Sequence, residues 1–187
     1  MPPAAVRQLE QGGAVPLART PKLSHNGGMS TEALRPARNP AFTVITAGLL
    51  GGAGDITYAI VFHGLRGIAP ERIFQSVASG LFGRASFQGG MATAAAGAAL
   101  HFFISIVAAG VFYLAATRVR ALVRQPLIFG PLFGLAMWLA MNFVIVPLSA
   151  ARTPTFDDTF RVMTDIMSHV FLFGLPIALV TRAGLKD

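Results

Sequence analysis

The chain has 187 residues and a formal charge of +7, with 53% hydrophobic and only 12% charged residues, about half the charge density of a soluble domain. It contains no cysteine, which excludes a disulfide framework and a thiolate metal site. The sequence pI is near 11.3, yet the cations flank long apolar blocks and the aromatics lie inside those blocks. That arrangement fits helix orientation and contact with anionic headgroups, not nucleic acid.

Residues 1–40 are rich in Pro, Gly, Ala and Arg and lack apolar periodicity. They hold no apolar core of about 7 to 15 residues, so they do not form a secretory signal. They read as a disordered basic cytoplasmic tail. Met29 opens MSTEALRPARNP, which reads as an alternative translation start ahead of the membrane domain, residues 41–187.

The first predicted span, residues 43–63, carries the pair Gly48 and Gly52 four apart, with Gly51 and Gly54 beside them. Glycine weakens an isolated helix, so its density here points to close packing against a neighbour. The expected neighbour is the equally smooth start of the second span, Ala92 to Ala99. Between the two spans, Pro70 suits a first helical turn and Glu71 suits its positive dipole end. Ile73, Val77 and Leu81 then recur every four residues among polar ones, which predicts an amphipathic helix lying at the membrane surface.

The second span, residues 91–116, has no charged residue over a length greater than the roughly 20 residues a bilayer requires. A basic turn with Arg118, Arg120 and Arg124 follows. The third span, residues 127–148, repeats the glycine spacing at Gly130 and Gly134 and carries Asn142. Thr155 and Asp158 resemble a capping box opening the fourth span. That span covers residues 162–181, and Pro176 behind Gly174 is expected to kink it.

With both termini inside, ten Lys and Arg lie on the cytoplasmic side and five outside, which favours that orientation. The polar residues within the spans then fall in one half of the membrane. Asp55, His101, Asn142, Asp165 and His169 lie roughly 5 to 15 Å below the outer boundary at 1.5 Å per residue. Asp165 and His169 are four apart and share a helix face.

Three uses of these residues stay open. They could tie the helices together, each hydrogen bond contributing about 0.6 to 2 kcal/mol. They could line a periplasm-facing pocket for a ligand or a proton. Or His101 and His169 could bind haem across the bundle, or join Asp55 on a divalent metal. No residue set reads as catalytic.

The set His101-x-x-Ile104-Ser105-Ile106, Gly130-x-x-x-Gly134, Asn142 through Pro147, and His169 resembles small proteobacterial inner-membrane proteins related to the YagU-like group. The stretch from Gly64 to Arg72, GLRGIAPER, adds to that likeness. It extends over about residues 43–181, although the loops and first span differ from the YagU-like group itself. The resemblance implies a compact helical protein of the bacterial inner membrane, and it implies no reaction.

The expectation is therefore an all-α polytopic membrane protein of four transmembrane helices and one amphipathic interfacial helix. Its expected partners are the bilayer, anionic lipid headgroups and, through the glycine faces, a second copy of the chain. No resident cofactor and no nucleic acid are expected. The leading function is a structural or interaction role, with a small transporter or proton-linked channel next and a haem or metal protein last.

Overall fold

A computed structural model describes residues 38–185, so the basic tail and the start at Met29 lie outside the described residues. The described residues fold into α1 (Pro40–Gly64), α2 (Pro70–Phe82), α3 (Gly90–Arg118) and the short α4 (Arg120–Arg124). Two long helices follow, α5 (Pro126–Leu148) and α6 (Thr159–Gly184). Four of these, α1, α3, α5 and α6, are long and apolar enough to cross a membrane. The protein is an all-α, multi-pass membrane protein.

Local chemistry sets the helix ends. Asn39 caps α1 by accepting from the Ala41 N–H at 2.9 Å, and Pro40 occupies the first turn, where its missing N–H costs nothing. Asp158 alone caps α6, accepting from the Arg161 N–H at 3.0 Å. Thr155 takes no part in that cap. Its hydroxyl instead bonds Asp157, and that bond, with one from the Asp157 backbone, holds the Asp157 carboxyl below its ordinary range.

The helices are ordered α3, α1, α6, α5 by their packing, and α3 meets α5 only weakly. The two ends of the described chain meet at one face, where the Arg38 N–H donates to the Gly184 carbonyl at 3.4 Å. We call this the terminal face, and the opposite one the α2 face. The apolar core sits toward the terminal face, built from Ala47, Ala109, Phe112, Tyr113, Phe173, Ile177 and Ala178 among others. Large side chains such as Leu50, Phe103, Val111, Leu127 and Leu132 point outward and are more than half exposed, as lipid-facing residues are.

Glycines fix the helix spacing. A Cβ on Gly48 would sit 2.5 Å from Ile106 Cα, and one on Gly52 would sit 2.7 Å from Ser105 Oγ. α1 therefore seats on the middle of α3, not on Ala92 to Ala99 as the sequence suggested. The first turns of α3 are taken instead by α2. A Cβ on Gly97 would come 1.9 Å from the Phe74 carbonyl, so the two backbones are in contact. At so close a crossing only small side chains fit, and the buried residues of α2 are Ile73, Gln75, Ala78 and Ser79. Leu81, expected on the same face as Ile73, is 64% exposed.

On the other side of the bundle, α5 and α6 cross through Gly130, Gly134 and Gly174. A Cβ on Gly134 would meet the His169 carbonyl at 2.0 Å, and one on Gly174 would meet the Gly130 carbonyl at 2.3 Å. Both helices widen by one residue near this level, α5 over Met141–Ile145 and α6 over His169–Gly174. Such π-turns recur at functional sites. Pro176 lacks the N–H that would take the Leu172 carbonyl four residues back. That carbonyl lies 2.5 Å from where a Cβ on Gly54 would stand, so α1 packs directly over it.

Candidate functional site

Beyond the contact at Gly52, α1 and α3 no longer pack directly. A cavity of about 1650 Å³ opens between them, bounded by α2, the end of α5 and the loop after it. Asp55, Ile56, Ala59 and His63 line it from α1, His101 from α3, and Ile73, Ser76, Val77 and Ser79 from α2. Val146, Ala150, Ala151 and Arg152 close the α5 side, and Arg72 and Arg84 stand with Arg152 among its walls.

Small local features hold this shape open. The Ala150 N–H donates to the Gly80 carbonyl at 3.0 Å and ties the loop to α2. Phe156, further along the same loop, stacks on Phe143 at 5.4 Å between ring centres. The Arg66 guanidinium lies 3.7 Å over the Phe62 ring and 3.8 Å from Asp158, clamping the loop after α1 to the start of α6. Arg72 donates to the Phe87 carbonyl at 3.0 Å. Neither Arg84 nor Arg152 has a carboxylate within 4.0 Å among the described residues.

Asp55 also belongs to a polar network between α1, α5 and α6. Its Oδ1 accepts from Ser168 Oγ at 3.0 Å and lies 3.3 Å from His169 Nδ1. That ring nitrogen also lies 3.1 Å from the Asp165 carbonyl and 3.8 Å from Asp165 Oδ1. The Asp55 carboxylate and the Asp165 carbonyl can only accept from Nδ1, whereas Ser168 Oγ, 3.5 Å away, can donate to it or accept from it. Trp138 Nε1 donates to Asp165 Oδ2 at 2.7 Å, and Tyr58 donates to Thr164 Oγ1 at 2.7 Å. The buried indole therefore has its one donor satisfied by a carboxylate.

Of the five residues read from the sequence, Asp55, Asp165 and His169 come together. His101 sits apart from them, its Nε2 donating to the Gly52 carbonyl at 2.9 Å, while its ring lines the cavity with Asp55. Asn142 turns back onto its own helix and donates to the Trp138 carbonyl at 2.9 Å. It joins neither cavity nor network. Among the described residues no three His, Asp or Glu side chains gather in a way that could hold a metal ion. The proposed set of Asp55, His101 and His169 is thus not brought together as a ligand set.

The sequence reading omitted Trp138, Tyr58, Ser168, Thr164 and His63. Ser168 was the easiest to find, since it stands three residues after Asp165 and so on its face.

Compared with protein-family models, curated proteins and solved structures, the chain matches none. What the fold and site define is a class: a four-span membrane protein with a cavity opening at one face and a carboxylate shared between that cavity and an interhelical polar network.

Proposed function

We propose that this is a non-enzymatic ligand-binding protein of the bacterial inner membrane, and that the cavity is its binding site. One observation carries this reading: about 1650 Å³ of open space bounded by α1, α2, the end of α5 and the loop after it, with Asp55 and His101 on its wall. We place the terminal face in the cytoplasm. Among the described residues that face holds Arg38, Arg118, Arg120, Arg124 and Arg182 with no acid, while the arginines of the α2 face share it with Glu71, Asp157 and Asp158. The positive-inside bias supports that placement, and the resemblance to small inner-membrane proteins supports the compartment. The cavity then opens to the periplasm.

The absence of cysteine makes the test clean. Ala59→Cys places a single thiol in the cavity wall. An uncharged, membrane-impermeant maleimide should label it in intact cells with a permeabilised outer membrane, and should leave Leu132→Cys on the lipid face unlabelled. A folded Ala59→Cys protein that reacts only after the inner membrane is opened, or never, would overturn the reading.

A second reading, proton-linked transport, is favoured by one specific feature: Asp55 belongs to the cavity wall and to the His169–Asp165 network at once. Protonation in the network would then alter the charge facing a bound ligand. Asp55→Asn should abolish acidification of pyranine-loaded proteoliposomes under a pH gradient and leave the melting temperature nearly unchanged. A change in melting alone would leave the network as helix glue.

A further inference from the structure

The cavity wall contributed by α1 and α3 offers hydrogen-bond acceptors. Gly52 has no Cβ to hold Ser105 away, so α3 comes close enough for His101, one turn before Ser105, to donate from Nε2 to the Gly52 carbonyl at 2.9 Å. That bond spends the one ring proton of a neutral imidazole and leaves Nδ1 as an acceptor. Asp55 stands three residues after Gly52, on the same side of α1, and is the one carboxylate on the wall among the described residues. Its Oδ1 faces Ser168 and His169, while its Oδ2 takes no hydrogen bond among the described residues. Ser76 and Ser79 also line the wall, and each hydroxyl spends its proton on a backbone carbonyl, of Ile73 at 2.7 Å and of Ser76 at 2.6 Å. Asp55 lies nine residues before the end of α1, about 14 Å inside at 1.5 Å per residue. A carboxylate oxygen at that depth needs a partner.

We infer that the ligand of this cavity is a soluble aliphatic primary amine, bound as its ammonium with Asp55 Oδ2 and His101 Nδ1 as acceptors. An ammonium brings three N–H donors and a single positive charge, which match acceptors grouped about a single carboxylate. A metal ion would need a fuller ligand set than the described residues assemble. A quaternary ammonium has no N–H and is recognised by aromatic faces. Phe87 is the only Phe, Tyr or Trp on the wall among the described residues, and the Arg72 guanidinium already lies 5.5 Å over its ring. Ile56, Ala59, Ile73 and Val77 give the carbon chain an apolar wall, as small-molecule sites do. Arg72, Arg84 and Arg152 on the same wall oppose a second positive charge, so the ligand carries one ammonium. The amine of phosphatidylethanolamine stays in the headgroup layer, well above Asp55, so the ligand comes from the aqueous side. The inference rests on the cavity being the binding site, and it names the ligand's chemistry.

The same single thiol tests it, because Ala59 lies one turn from Asp55 on the same face of α1 and a chain bound there covers it. The Ala59→Cys protein is reconstituted, with its cavity side out, into phosphatidylglycerol vesicles. Labelling by the uncharged maleimide at neutral pH is normalised to Thr153→Cys in the loop after α5. Butylammonium should slow labelling of Ala59→Cys saturably, about tenfold once it exceeds its Kd about tenfold. Butyltrimethylammonium, which lacks the N–H donors, and butanol, which lacks the charge, should not slow it. These probes are compared on one folded protein, so the result needs no further variant. Asp55→Asn and His101→Leu should each remove the protection, with labelling in the absence of amine kept at the parent rate. One rate with and without butylammonium overturns the amine and leaves the binding cavity standing. Equal protection by butyltrimethylammonium, or protection that survives in Asp55→Asn, overturns the assigned acceptors. Protection by phosphatidylethanolamine vesicles with no amine added overturns the soluble source. Failure of Ala59→Cys to react under any of these conditions removes the cavity itself.

Discussion

At Gly134 a single added carbon would lie 2.0 Å from a carbonyl of the neighbouring helix, whereas at Gly83, in the wall of the cavity, the nearest atom would be 3.5 Å away. The bundle is closed where glycines let backbones touch, through Gly48 and Gly52 of α1 against α3 and through Gly130, Gly134 and Gly174 between α5 and α6. It is open where α1 and α3 continue past their last glycine contact and α2 covers one side of the gap. In lipid, apolar surface gives little drive for helices to associate, so close backbone packing and interhelical hydrogen bonds must supply it. The closed half has the backbone contacts, and the hydrogen bonds of Tyr58, Asp55 and Asp165 lie at its edge with the open half. The open half relies on α2, one loop hydrogen bond and an aromatic stack, and it is where space for a ligand survives.

The contrast is most easily broken at Gly134. Gly134→Leu drives a side chain into the His169 backbone, which cannot yield without moving the π-turn of α6. Overpacking of a well-packed interior costs about 1–3 kcal/mol and sometimes more, and with backbone as the obstacle the effect should lie at or beyond the top of that range. The purified variant should melt far below the parent or fail to assemble. Unchanged melting in detergent would mean that α5 and α6 do not cross there.

Gly97→Val should act locally. Its methyls meet the Phe74 carbonyl, so α2 should lift from α3 while the four spans stay assembled. Amide exchange in residues 70–82 should rise sharply, with exchange in residues 104–116 unchanged. If exchange rose equally in both segments, α2 would be an integral part of the closed half.

A smaller effect is expected at the junction between the halves. Asp165→Leu leaves the Trp138 N–H without its carboxylate. Interhelical hydrogen bonds in membranes average about 0.6 kcal/mol and reach about 1.7, so stability should fall by roughly 1 kcal/mol. Trp138 is the single tryptophan, and its emission reports the lost bond directly. An unshifted spectrum would place the indole elsewhere.

These differences also mark what could be read from the sequence. Hydropathy and length locate the spans, because crossing a membrane imposes a long uncharged run. Counting depth puts Asp55, His101, Asn142, Asp165 and His169 in one half of the membrane, because rise per residue is fixed. Rotation about each helix axis is not fixed by either. Whether Asn142 faces a partner or its own turn, and whether Trp138 meets Asp165, depends on how α5 rolls against α6, and the π-turns change that roll by a residue. The seating of α2 was hidden for a similar reason. Its apolar spacing pointed to Ile73, Val77 and Leu81, but backbone contact at Gly97 selects Ala78 and Ser79 and turns Leu81 outward.

The weakest perturbation is the sharpest test of whether glycine matters by its place or by its number. Gly110 lies on α3 a turn beyond Ile106, and a Cβ there would meet only Val44 Cγ1, at an ordinary 3.7 Å. Gly110→Ala removes no close approach and gains helix propensity, worth up to about 1 kcal/mol in a water-exposed helix and less where lipid already enforces the helix. Gly48→Ala is the same chemical change four residues from Gly52, but its methyl is forced against Ile106 Cα. Melting temperature should therefore hold or rise slightly for Gly110→Ala and fall for Gly48→Ala. Two equal losses would mean that α1 and α3 meet along their whole length, and the cavity between them would then have no room to form.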